Sequence, residues 1–128
     1  MLLERASSSN VMESASVHDV ALRGRGILRC LRCRRFVTHR ADAGTHAGMG
    51  SDTRTNPHGF RYTFGFFSSA PGAAVRGVPT VEASWYPPHA WQLAACRQCA
   101  EHLGWYFTSA DRVGFFALIT NRLREDDV

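Results

Sequence analysis

With 128 residues, a hydrophobic fraction of 45% and a net charge of +4, the chain holds enough for one domain with a modest core. That composition excludes wholesale disorder, and the small positive excess argues little for a nucleic-acid partner. No stretch approaches the ~20 apolar residues of a bilayer-spanning helix, and the opening MLLERASSSNVMES lacks the apolar run of a secretory signal.

All 15 basic residues are arginine, which is read here as base composition. The expectation is a cytoplasmic, monomeric protein whose thiols stay reduced. Residues 1–26 are Ser-rich, without aromatics, and read as a flexible N-terminal tail with one helical turn near Val17–Leu22. The domain is placed at residues 27–123. A strand over Ile27-Leu28-Arg29 leads into Cys30-Leu-Arg-Cys33, and Phe36-Val37-Thr38 leads out. His39 to Thr55 has neither helical nor strand periodicity and reads as a surface loop. Asn56-Pro57-His58-Gly59 is a strong turn signal, and Phe60 to Phe66 alternates as a strand does. Ser68 to Gly77 reads as a turn-rich connection. Tyr86-Pro87-Pro88-His89 cannot be helical, because two prolines remove donors and fix φ. Trp91 to Ala95 reads as a strand entering Cys96-Arg-Gln-Cys99, Leu103 to Thr108 as the strand leaving it, and Phe115 to Leu118 as the start of a last strand. Leu123 onward reads as a frayed end, with residues 124–128 an acidic C-terminal tail. About seven short strands with turns throughout predict a compact all-β domain.

Cys30-x-x-Cys33 and Cys96-x-x-Cys99 have the two-by-two spacing of a structural zinc centre, and they use every cysteine in the chain. One Zn²⁺ held by four thiolates has no open position, which excludes Lewis-acid catalysis at that ion. With no fifth thiol, a cysteine-based reductase is excluded as well. His102, three residues beyond Cys99, reads as a packing residue rather than a ligand. Arg29, Arg32, Arg34 and Arg35 flank the first knuckle and are expected to offset thiolate charge and face solvent. Binding of nucleic acid by the knuckles is the alternative reading.

All three tryptophans, Trp85, Trp91 and Trp105, bracket the second knuckle. Trp105 and Phe107 are two apart on a predicted strand and share a face. Phe60, Phe64, Phe66, Leu93, Leu103, Phe115, Leu118 and Ile119 are enough to fill a small interior. Each indole also brings an N–H that wants a partner. The tryptophans are therefore read as pocket walls rather than filling. Such walls suit a cation or a small flat ring with polar edges. A quaternary-ammonium cage wants an acid, and only Glu82 is near. A neutral ring would use backbone groups of the irregular loop Ala83-Ser84-Trp85. Ser84 and His89 make a hydrolase pair only superficially, since nucleophile-elbow glycines and an orienting acid are both missing.

The runs Asn56-Pro-His-Gly-Phe60, Ser84-Trp85-Tyr-Pro with Ala90-Trp91, and Cys96-x-x-Cys99-x-x-His102-Leu-Gly-Trp105-Tyr-Phe107 resemble the thalidomide-binding (CULT) domain family of cereblon. The resemblance covers residues from Ile27 to Leu123 and is nearest to single-domain members, without the Lon-like domain or the ligase-adaptor segment. It implies a β-tent, two antiparallel sheets pinned by a structural four-cysteine zinc site. It also implies a non-enzymatic pocket walled by Trp85, Trp91 and Trp105 and floored by Phe107. The ligand it implies is a cyclic imide such as glutarimide or a thalidomide-type compound, an imide at a protein C-terminus, or a uridine-like ring. In that pattern the Ala83 carbonyl accepts the imide N–H and the Trp85 amide donates to an imide oxygen. Asn56 and Pro57 lie on the loop over the mouth. Many members carry histidine where Ala83 stands, and His89 and Pro88 also depart from the usual rim.

Overall fold

The computed structural model describes residues 26–126. The expected N-terminal tail with its turn near Val17–Leu22 lies outside the described residues save for Gly26, as do residues 127 and 128. In chain order the strands are β1 (Ile27–Cys30), β2 (Phe36–His39), β3 (Ala43–Gly44), β4 (Ser51–Thr55) and β5 (Arg61–Phe67). Then come β6 (Ala73–Thr80), β7 (Ala90–Cys96), β8 (His102–Ser109), β9 (Arg112–Ile119) and β10 (Leu123–Glu125). Two 3₁₀ turns, Arg40–Asp42 and Thr120–Arg122, are the only helical pieces among the described residues. None of it is a helix long and apolar enough to cross a membrane.

The strands form two antiparallel sheets. The small one is ordered β10-β1-β2, and the large one runs β3-β5-β9-β8-β7-β6 with β4 also paired to β5. The central strands of the large sheet carry apolar residues on both faces, as the run Phe115-Phe-Ala-Leu-Ile119 shows. One face, with Phe67, Ala94, Cys96 and Leu118, meets Leu28, Cys30 and Val37 of the small sheet. The other face, with Phe64, Phe66, Trp105, Phe107 and Ile119, packs beneath Trp85 and Tyr86. A bulge opposite Ala94/Ala95 inserts Leu103 as an extra residue. Leu103 therefore joins the first core while Trp105, two positions on, joins the second. One strand serves both.

Several sequence expectations change. The stretch from His39 to Thr55 is not a plain loop but carries a 3₁₀ turn, β3, a His46–Met49 bridge and β4. Ser51-Asp-Thr-Arg-Thr55 has no apolar alternation because β4 borders the sheet and pairs only with β5. Ala73 to Thr80 is a strand rather than a turn-rich connection. It is the outer strand beside β7, and its register breaks between Arg76 and Thr80, around Gly77 and Pro79. The end expected to fray from Leu123 is paired to β1 through Glu125, and the Asp126 amide donates to the Ile27 carbonyl at 2.9 Å. Phe60 is 63% exposed and Leu93 44% exposed, so neither fills the interior. Phe60 closes the Asn56 turn outside the sheet, where the Asn56 amide donates to its carbonyl.

His46 sits in the second core's margin, with its ring stacked on Phe115 at 4.6 Å and edge-on to Tyr86 at 4.7 Å. Burial holds its imidazole below the ordinary value, and the positive charges of Arg112 and Arg54 push the same way. The fold thus favours neutral His46. Its contribution is whole above the unfolded value near ~6.5 and is lost as pH falls through the lowered folded value. His46→Phe should therefore gain melting temperature relative to the parent between pH of about 7.5 and about 5.5. A difference independent of pH would refute this.

Candidate functional site

Both knuckles are built alike. Each has a strand ending in its first cysteine, then a left-handed residue four positions on, Arg34 (φ 70°) or Ala100 (φ 66°). The amides of Arg34 and Ala100 donate to the carbonyls of Cys30 and Cys96 at 2.7 and 2.9 Å. These tight turns aim the thiols of Cys30, Cys33, Cys96 and Cys99 at one point, and the four Sγ atoms all lie within 4.8 Å of one another. The Cys30–Cys99 and Cys33–Cys96 sulfur pairs are 3.6 and 3.5 Å apart. That is far beyond a disulfide bond and near the edge of a tetrahedron with ~2.3 Å metal–sulfur bonds.

Burial pushes the Cys30 thiol up to about 12. Burial acts in the same sense on Cys96, but backbone N–H donors from Cys99 and Gln98 outweigh it and bring that thiol down to about 7. Four thiolates need a cation to coexist here, and a divalent ion such as zinc fits the donors and their spacing. The flanking arginines are partly paired rather than simply solvated. Arg29 reaches Asp126 at 2.9 Å and Arg32 reaches Glu101 at 3.4 Å.

On the opposite face of the large sheet lies a slot of about 250 Å³. Trp91 and Leu93 of β7, Trp105 and Phe107 of β8, and Tyr62 of β5 form its body. Ala83, Trp85, Asn56, Pro57 and His58 complete its border. Trp85 meets Trp105 edge-on at 4.8 Å and lies parallel to Phe64 at 5.5 Å. Trp91 packs against the second core as the cross-strand partner of Phe107, and among the described residues its ring is not stacked or edge-on to either of the other indoles. Phe107 is 1% exposed and is wedged by Tyr86 at 5.1 Å and Phe115 at 5.3 Å.

Backbone carbonyls hold two of the walls. The Trp91 indole N–H donates to Glu82 at 2.8 Å and that of Trp85 to Thr55 at 3.2 Å. Asn56 spends its side-chain oxygen on the amides of His58 and Phe60, at 3.0 and 2.9 Å, which fixes the turn at the mouth. Among the described residues the Ala83 carbonyl, the Trp85 amide N–H and the indole N–H of Trp105 have no hydrogen-bond partner in the protein. Trp105 is only 7% exposed, a setting in which an indole N–H ordinarily finds one.

Of the residues expected at the ligand, seven line the slot: Trp85, Trp91, Trp105, Phe107, Ala83, Asn56 and Pro57. Ser84 does not. Its hydroxyl donates to the His89 carbonyl at 2.7 Å and accepts from the Tyr86 amide at 3.2 Å, so it shapes the loop. Tyr62, Leu93, His58 and His102 were missed as lining residues. Strand parity with Phe64 and Phe66 could have placed Tyr62. His102 packs edge-on against Trp105 at 4.9 Å, with Nε2 3.0 Å from the Gly104 carbonyl.

No protein-family model matches the chain. It is 39% identical to cereblon of Gallus gallus over 57 residues, which is 44% of this chain and 13% of the relative. Against cereblon of Xenopus tropicalis the identity is 41% over 54 residues, 42% of this chain and 12% of the relative. Against that of Drosophila erecta it is 31% over 83 residues, 61% and 14% respectively. The matches thus span about an eighth of the length of these relatives. Over somewhat less than half of its length the chain is similar to cereblon of Gallus gallus and Xenopus tropicalis.

Proposed function

We propose that this chain is a non-enzymatic module of the CULT type that binds a cyclic imide between its tryptophans, with one structural Zn²⁺ on its four cysteines. The observation that carries the reading is the set of unpartnered polar groups on the slot's residues. They are two donors, the Trp85 amide and the Trp105 indole, and one acceptor, the Ala83 carbonyl. A cyclic imide presents the matching set, one N–H between two carbonyls, on a compact ring whose remaining surface is apolar. A slot of about 250 Å³ falls below the ~300–1,000 Å³ of sites for drug-sized ligands, which favours a single small ring. The ring could be free, as in glutarimide, or closed at a polypeptide C-terminus. A uracil ring offers the same edge and is the natural competitor.

A quaternary ammonium is disfavoured, because no lining residue among those described is acidic. Hydrolysis of the imide is disfavoured because the Ser84 hydroxyl is committed to the His89 carbonyl. Alanine at position 83 removes the histidine contact that the resemblance implies, which should weaken binding by ~1 kcal/mol, one neutral hydrogen bond.

Tryptophan emission titrated with glutarimide should quench and saturate, and Trp91→Ala should weaken binding by more than about tenfold. Flat emission up to millimolar glutarimide would overturn the assignment. Tighter binding of uridine than of glutarimide would move it to the competitor.

A further inference from the structure

We infer that Asp52, Arg54 and Tyr86 form a polar latch by which β4 positions the Trp85 wall and thereby sets how strongly the slot binds. The inference rests on the imide-binding reading for its ligand, but the latch itself is read from contacts. The Tyr86 hydroxyl donates to Asp52 Oδ2 at 2.7 Å, and Arg54 Nε donates to the same oxygen at 2.8 Å. The Thr53 amide donates to Asp52 Oδ1 at 2.8 Å, which fixes the carboxylate. From the other end of its guanidinium, Arg54 Nη1 donates to the Trp85 carbonyl at 3.3 Å, and the group lies 5.0 Å from the centre of the Tyr86 ring.

The Trp85 indole N–H reaches the Thr55 carbonyl of the same strand. Among the described residues, and apart from bonds inside its own turn, every hydrogen bond of the Trp85-Tyr86 dipeptide to another part of the protein therefore goes to β4. Among the described residues that strand pairs with β5 alone.

An exposed ion pair of this kind would contribute little. Here the Asp52 side chain is only 16% exposed. Burial alone would raise its pKa, yet the bonds from Tyr86 and Arg54 hold the carboxyl below the ordinary value. Burial and the same carboxylate raise the Tyr86 phenol, so it keeps the proton it donates. Trp85 is half-buried and closes one side of the slot, with Phe64 behind it and Trp105 at its edge. A wall tied through its neighbour to a border strand is one whose position shifts when the tie is cut. If cutting it leaves about a fifth of the molecules with the wall in place, apparent affinity falls about fivefold.

The test uses the zinc-loaded full chain with glutarimide as the probe, in the parent, Asp52→Asn, Tyr86→Phe and the double variant. Each single change should weaken binding about fivefold, and the double should bind no more weakly than Asp52→Asn alone. In ¹⁵N spectra without ligand, both singles should move the Trp85 indole resonance and leave that of Trp91 in place, with zinc content unchanged. Parent-like affinity in the singles, or a double variant weakened by the product of the two, would overturn the latch. Failure of the parent itself to bind glutarimide would instead sink the imide reading. The indole resonances would still decide the latch, since an unmoved Trp85 signal refutes it.

Discussion

Stripping the metal from the zinc-loaded chain with a strong chelator, or replacing Cys96 by serine, is expected to unfold the domain rather than loosen it. Cys30 and Cys96 are 0% exposed and sit inside the core that joins the two sheets. Between those sheets the other polar ties are few. They include Gly72 N–H to the Val37 carbonyl at 2.9 Å and the Thr38 hydroxyl to the Ser69 carbonyl at 2.6 Å. Structural zinc sites contribute on the order of 10–16 kcal/mol. The whole net stability of a small domain is about 5–15 kcal/mol. Without the ion, buried thiols must take up protons, as the raised Cys30 shows, and the apex loses its one strong bond set. Circular dichroism and tryptophan emission should both report a cooperative loss on chelation. A metal-free chain that still melts cooperatively near the parent temperature would refute the clamp.

Gly72→Ala should be among the most damaging single methyls in the described residues. A Cβ at this position would lie 1.9 Å from the Phe36 carbonyl oxygen and 2.6 Å from the Val37 Cα. Both are backbone atoms of β2, so no side chain can rotate aside. Gly72 also accepts from the Arg97 amide at 3.0 Å while donating to Val37, so it is pinned from both sheets at once. Relief requires parting them at their closest approach. A cost on the order of 3–5 kcal/mol follows from overpacking of this severity. Gly44→Ala, which would meet nothing within 4 Å, is the matched control and should be neutral within about 0.5 kcal/mol. Denaturant melts compare them directly, and equal midpoints would refute the argument.

The parts that could be read in advance were those whose physics is local. Two CxxC turns, the aromatic alternation of Phe64 and Phe66 and the Pro-bounded Trp85 each carry their meaning in a few neighbouring residues. The strands that escaped are peripheral. β4 is polar throughout, β6 holds a glycine and a proline, and β10 is short and charged. Their strand character comes from the partner across the ladder, which a single chain's periodicity does not encode. The same limit applies to side-chain roles. Counting apolar residues could not separate Leu93, a slot wall, from Leu103, a core plug, because the difference is set by the bulge opposite Ala94/Ala95. Ser84 was assigned to the ligand by its loop, whereas its hydroxyl is used inside that loop.

The broken register of β6 has an effect beyond its own sheet. Between Arg76 and Thr80 the outer rim lacks a continuous row of amides, since Pro79 has no N–H and the Gly77 carbonyl is taken by the Gln92 side chain at 2.8 Å. Val78 stands 86% exposed there, a sticky spot on a rim that cannot template a further strand. Copies of this protein crowded together would thus find grease without a zipper, which guards against fibre growth from that side.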